Sequence, residues 1–244
     1  MSDRRLIRIF VLDDLAEGRD VTLSDAQAHY AIHVMRLTVG DNMNVFNGRD
    51  GEWLAQISTA TKKACQLQIV SQSRPQKSES DVWLAFAPIK RARIDLIAEK
   101  ATELGASVLW PIFTQHTNAE RVNVERLRAT AIEAAEQCER LSVPDVRAPT
   151  SISILMTQWP VQRRLLVLDE TGQGAPIIST LANVASQPCG FLVGPEGGFA
   201  AAELDGLSQL PFVTRIGLGP RILRSETAAL AALVTWQSVV GDWR

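Results

Sequence analysis

The sequence predicts an α/β protein: a small β-rich domain at the N-terminus, followed by a larger layer of helices on a largely parallel sheet. Three observations carry that expectation. Before residue 71 the apolar positions recur with period two; after residue 81 short apolar runs alternate with helical stretches; between them "SQSRPQKSES", Ser71–Ser80, is polar throughout.

Composition bounds the rest. With 244 residues, 46% of them hydrophobic, the chain can bury sizeable cores. A formal net charge of -2 lacks the global basicity of an obvious nucleic-acid binder, so contact with nucleic acid must come from local patches. The widely separated Cys65, Cys138 and Cys189 argue against a disulfide framework and against a zinc site with paired cysteines, and they fit a reducing cytoplasm. No apolar run approaches the roughly 20 residues of a membrane span, so neither export nor membrane association is expected.

Taken in order, Ser24 is an N-cap candidate for a helix reaching about Met35. His29 and His33 stand at the i, i+4 spacing of two metal ligands, but no third ligand accompanies them, and no metal is expected. "DNMNVFNGRDGEWLAQI" alternates on both sides of Asn47-Gly48-Arg49-Asp50-Gly51, a turn cluster between two strands, and "CQLQIV" repeats the pattern. Beyond the polar stretch, "VWLAFAP" reads as a buried strand. "RARIDLIAEKATELG" reads as a helix with Ile94, Ile97, Ala98, Ala101 and Leu104 on one face and Gly105 past its end. "SVLWPIF", "RLLVLDE", "GFLVG" and "FVTRIGLG" are further apolar runs, interleaved with helical stretches such as "VERLRATAIEAAEQCERL".

Ligands of parallel α/β sheets sit outside the carboxyl ends of the strands, where loops and helix N-termini present backbone N–H groups. Two such loops stand out. "GPEGGF" follows "FLV", and "LGPRILRSETAALAAL" follows "VTRIG" and runs into an Ala-rich helix for which Ser225 is the expected N-cap. No Gly-x-Gly-x-x-Gly follows a strand and no Gly-Lys-Ser/Thr is present, so neither a dinucleotide site nor a phosphate-cradling hydrolase loop is supported.

"LVGPEGGF" followed by "LGPRILRSETAALAAL" resembles the paired C-terminal motifs of the RsmE family of ribosomal RNA methyltransferases, within the SPOUT superfamily. "HVMRLTVGDNMNVFNGRDGEW" is similar to the family's N-terminal barrel, "EKATELG" to its first helix and "EAAEQCERLSVPDV" to its central helix, all in the expected order. The resemblance implies a PUA-like β-barrel over 1–72, a linker over 73–80 and, over 81–244, a SPOUT-type α/β domain with a trefoil knot around S-adenosyl-L-methionine (SAM). It implies methylation of uridine N3 in 16S ribosomal RNA of the small ribosomal subunit by a cytoplasmic homodimer. An RNA-binding module without catalysis, or a SPOUT methyltransferase acting on another RNA, is the alternative.

The residues the resemblance assigns to SAM are Val193, Gly194, Pro195, Gly197, Gly198, Ile216, Leu218, Gly219, Leu223, Thr227 and Ala228. Arg224 would stabilise negative charge on the uracil oxygens and Glu196 would accept the proton or orient the base. The structural alternatives are an ion pair between Arg224 and Glu226 and a helix cap for Glu196. RNA contact is expected from Arg8, Arg36 and Arg49 in the first domain, from Arg91 and Arg93 in "KRAR", and from Arg140, with Gln137, near the active site. One departure stands in "TQHTNAERV", where His116-Thr117 replaces the family's Arg-Ser pair.

Overall fold

The structure, a computed structural model, describes residues 6–61, 64–184 and 187–243. By its contacts the chain divides into two units: residues up to Ser78 together with Ala135–Val143, and Glu79–Ala134 together with Pro144–Arg244.

The first unit contains β1 (Arg8–Phe10), β2 (Asp20–Thr22), α1 (Asp25–His29), β3 (Asn42–Phe46), β4 (Glu52–Ala60) and β5 (Cys65–Arg74). The sheet order is β1-β3-β4-β5-β2, with β1 parallel to β3 and the other neighbours antiparallel. Period two does what it predicts: Cys65, Leu67 and Ile69 point into the core with Ile9, Val21, Met43, Val45 and Ile57, while Gln66 and Gln68 face outward. Asn47 Oδ1 ties the β3–β4 turn by accepting from the backbone N–H groups of Arg49 and Asp50, both at 2.9 Å. Ser24 caps α1 in a full capping box with Gln27. The single helix expected to Met35 instead widens after His29 into a π-helical turn, Tyr30–Val34, and the chain leaves it through Arg36 at φ 58°.

Two boundary expectations are corrected. Strand β5 runs through Arg74 into the expected linker, because Arg74 donates to the carboxylate of Glu52 at 3.0 and 2.9 Å. Residues 135–143, expected in the second domain, belong to the first unit. Buried Arg8 donates to the carbonyls of Ala135, Glu136 and Arg140, and Arg74 to that of Glu139, supplying partners for carbonyls left open where a helix ends.

The second unit contains β6 (Val82–Phe86), α2 (Arg91–Glu103), β7 (Ala106–Phe113), most of α3 (Val124–Cys138), β8 (Asp145–Val146), β9 (Thr150–Ser151), α4 (Ile152–Gln158), β10 (Arg164–Leu168), β11 (Ala175–Pro176), α5 (Ile177–Val184), β12 (Cys189–Val193), α6 (Ala201–Ser208), β13 (Val213–Gly217) and α7 (Ser225–Val239). All pairings are parallel, in the order β11-β13-β10-β12-β6-β7-β8, with β9 beside the end of β7. Every residue of β12 is buried, as a strand covered on both faces requires. Helix α2 buries Ile94, Ile97, Ala98 and Ala101 and ends at Gly105, φ 83°, as expected; Leu104 is half-buried. From β12 the chain recrosses β10 to reach β13, so the carboxyl ends of β10, β12 and β13 meet where strand order reverses.

Candidate active site

Three loops leave those strand ends: Asp169–Gly172 after β10, Gly194–Gly198 after β12 and Leu218–Leu223 after β13. With Ser225 and Ala228 of α7 they enclose a cavity of about 300 Å³, at the lower end of the usual range of small-ligand sites. The loops are tied together by side chains. Ser225 Oγ donates to the carbonyl of Gly194 at 2.7 Å, anchoring the first turn of α7 to the "GPEGGF" loop. Asp169 is buried, accepts from the Thr171 backbone at 2.9 Å and pairs with Arg215 at 2.7 Å. Burial alone would raise its pKa; the hydrogen bonds from Thr171 and Arg215 outweigh it and hold the carboxyl below the usual carboxylate range.

Glu170 accepts from the backbone N–H of Phe199 at 3.2 Å, beneath Gly198, whose φ of 69° lies in the left-handed region. From the other side His116 Nδ1 reaches the carbonyls of Gly197 at 3.1 Å and Gly198 at 3.2 Å. Both partners only accept, so the Nδ1 proton is the donor. The backbone of Gln115 donates to Glu203, fixing the same segment to the start of α6.

Glu196, at the cavity's edge, pairs with Arg93 at 3.2 Å, and Arg93 Nε also approaches Glu226 at 3.4 Å. Neither structural alternative is therefore realised: α6 is capped by Glu203 rather than Glu196, and Glu226 pairs with Arg93 rather than Arg224. Arg224 is exposed at the N-cap of α7 and has no ion-pair partner among the described residues. Ser225, the expected N-cap, is the first helical residue and spends its hydroxyl on Gly194.

The cavity collects Val193, Gly194, Pro195, Gly198, Leu218, Gly219, Leu223 and Ala228 of the residues expected at the cofactor. Three others are placed elsewhere. Gly197 packs on His116, Ile216 is buried within β13 with its carbonyl accepting from Asp169, and Thr227 is exposed outside the lining. The loop Asp169–Gly172 is a third wall beyond the two loops expected from sequence, and its signal is "LDETGQG" at the end of the apolar run "RLLVL", the carboxyl end of a buried parallel strand.

The basic candidates divide. Arg8 is corrected from an RNA contact to a structural residue: it is 8% exposed, its guanidinium lies over Phe46, and its donors go to Glu52 and the carbonyls of 135, 136 and 140. Arg93 is engaged by two carboxylates rather than offered to phosphate. Arg49 is half-exposed and pairs with Asp14 at 2.9 Å; Arg36 is exposed. Arg140 bonds Ser142 within the first unit, to which Gln137 also belongs. The side chain of Arg91 lies outside the described residues.

His29 and His33 approach with ring centroids 5.0 Å apart, and among the described residues no group of three metal-ligating side chains gathers. The three cysteines are free; burial pushes the Cys189 thiol up to about 12 and raises that of Cys65. No helix among the described residues is long and apolar enough to cross a membrane.

An RNA methyltransferase domain family matches residues 76–237, and an RNA methyltransferase PUA domain family matches residues 23–70. The chain is 34% identical to the ribosomal RNA small subunit methyltransferase E of Rickettsia conorii, over 93% of either chain. It is 32% identical to the protein of the same name from Synechocystis, over 93% of this chain and 75% of the relative. Among solved structures, a Legionella pneumophila protein in complex with the bound cofactor SAM is 27% identical with a TM-score of 0.84, covering 96% of this chain and 98% of that one. The Neisseria gonorrhoeae ribosomal RNA small subunit methyltransferase E shares the fold, with a TM-score of 0.89 at 24% identity over 98% of this chain and 100% of that one. A parallel α/β unit with a cavity at the strand-order reversal, preceded by a PUA domain and matched along nearly its whole length, places this chain in the ribosomal RNA small subunit methyltransferase E family.

Proposed function

We propose that the protein uses SAM to methylate N3 of a uridine in 16S ribosomal RNA of the small subunit. The observation that carries the reading is the cavity at the carboxyl ends of β10, β12 and β13, which the residues present fit to SAM. Gly219, at φ 103°, has nothing within 4 Å of where a Cβ would stand, leaving the backbone open to a close ligand. Leu218, Ile222 and Leu223 offer apolar contact and main-chain groups for adenine, and exposed Glu170 places a carboxylate at the edge for a cationic ligand. The Legionella relative with SAM bound supports the same assignment.

SAM supplies an electrophilic methyl group. The protein's part is to place N3 against it and to manage the charge that appears as the N3 proton leaves. Free of any ion pair among the described residues, Arg224 stabilises negative charge on a uracil carbonyl. Glu196, its carboxylate engaged by Arg93, orients the base or accepts its proton. Arg36 and Arg49 serve RNA contact from the first unit, the chain passes through itself in a trefoil knot at this cavity, and two copies form the working cytoplasmic enzyme. Exposed Val234 on α7 supports that interface, and the free thiols suit a reducing compartment. Transfer of labelled methyl from SAM to small ribosomal subunits, followed by nucleoside chromatography, tests the reading. The expected product is 3-methyluridine; label on ribose, on carbon 5 or only on transfer RNA overturns it.

A further inference from the structure

Glu196 lines two cavities of the second unit, and the cofactor reading uses only one. The other, about 1120 Å³, opens between the start of α2 and the segment leading into α3. Ile89 and Leu127 give it an apolar wall, and Lys90, Asn118, Arg121 and Asn123 stand around it. Its charges sort themselves by partner. Arg126 grips Asp95 through bonds of 2.6 to 3.1 Å, and Arg93 holds Glu196. Lys90 and Arg121 are exposed cations, and Glu120 an exposed carboxylate, with no ion-pair partner among the described residues, so the unpaired charge of the cleft is positive by one. Asn123 spends Oδ1 on the backbone of Arg126 at 3.0 Å, which leaves its amide N–H groups as donors.

We infer that this cleft seats the acceptor nucleotide, with a uracil base taken out of its stack against the apolar wall and the flanking phosphates held by Lys90 and Arg121. The inference rests on the functional reading above. Chemistry on a base needs the base withdrawn from its stack into a pocket, and a large cleft beside a smaller cofactor cavity, joined at one carboxylate, meets that need. Uracil carries a carbonyl acceptor on each side of N3. The amides of Asn118 and Asn123 can donate to those oxygens, whereas the acceptor-only Asp95 is withdrawn by Arg126. Unpaired cations at the rim match phosphate contacts that position without reading sequence.

The test uses the full-length enzyme, SAM and purified small ribosomal subunits, with Arg121→Ala and Asn118→Ala as separate variants. Arg121→Ala raises KM for subunits about tenfold and flattens the dependence of binding on salt by about one phosphate contact. Asn118→Ala lowers kcat/KM for subunits about tenfold through the lost base contact. The SAM affinity of both, read by calorimetry, stays within about twofold of wild type, because neither residue lines the cofactor cavity. Wild-type kinetics on subunits in both variants, with SAM binding intact, overturns the cleft assignment and leaves the functional reading standing. Loss of activity that tracks a change in sedimentation also overturns it, assigning the cleft to a second copy of the chain. A wild-type enzyme that binds no SAM fells both readings together.

Discussion

Replacing Gly198 by Ala tests the construction of the loop proposed to hold SAM most directly. At φ 69° an L-residue gives up about 1 kcal/mol to left-handed backbone. The new Cβ would also overlap Glu170 Oε1 and lie 3.0 Å from Glu170 Cδ, so that carboxylate must swing away. In moving it abandons its 3.2 Å bond from the Phe199 N–H. An amide on a residue only 6% exposed is then left unpaired, at about 1–3 kcal/mol. Together the two effects come to about 3 kcal/mol, or roughly 150-fold in SAM affinity if ligand binding must restore the native loop. Gly18→Ala is the control. Its φ is 78° with nothing within 4 Å of a Cβ, so it carries the backbone cost alone, far from the cavity in sequence and in a different unit. Calorimetric titration with SAM, alongside thermal unfolding, measures both. A folded Gly198→Ala protein that binds SAM within about twofold of wild type would show that neither Glu170 nor the Gly198 backbone shapes the site.

Arg224→Ala is expected to slow turnover by about 10²–10³-fold with little change in SAM affinity, as for loss of one donor to a developing oxyanion; wild-type turnover in a subunit methylation assay removes Arg224 from the mechanism. His116→Ala frees the carbonyls of Gly197 and Gly198 and should weaken SAM binding by about fivefold to tenfold, and an unchanged titration would show that the loop holds itself. Arg8→Ala takes one partner from buried Glu52 and leaves three carbonyls uncapped, which should cost about 3 kcal/mol and lower the thermal midpoint by several degrees. Burial pushes the Glu52 carboxyl upward, but hydrogen bonds from Arg74 and Arg8 bring it below its ordinary value of 4.5. A carboxylate depressed in the folded state contributes stability that is full above that ordinary value and is lost as pH falls through the folded one. Urea midpoints measured across this range should show that acid loss in wild type and a shallower one in Glu52→Gln; equal slopes would mean that Glu52 does not carry it.

Features that depend on near neighbours in the chain are legible in the amino-acid order. Period two placed Cys65, Leu67 and Ile69 in one core, Ser24 announced its helix, Gly105 ended another, and the two glycine-rich loops after "FLV" and "VTRIG" identified two walls of the cavity. Tertiary structure decided whatever required pairing over long separations. "LDETGQG" became the third wall only because strand order reverses around β10. The strict glycine requirement fell on Gly198 rather than Gly197 because Glu170 lies beneath it, 28 positions earlier in the chain. Arg8 and Arg93 look like any exposed arginines on paper; one is buried over Phe46 on carbonyls more than a hundred residues away, and the other is held between Glu196 and Glu226. A charge shows its sign in sequence, but whether it faces phosphate or a carboxylate is settled by the element packed against it, and burial makes an unpaired charge too costly to leave open.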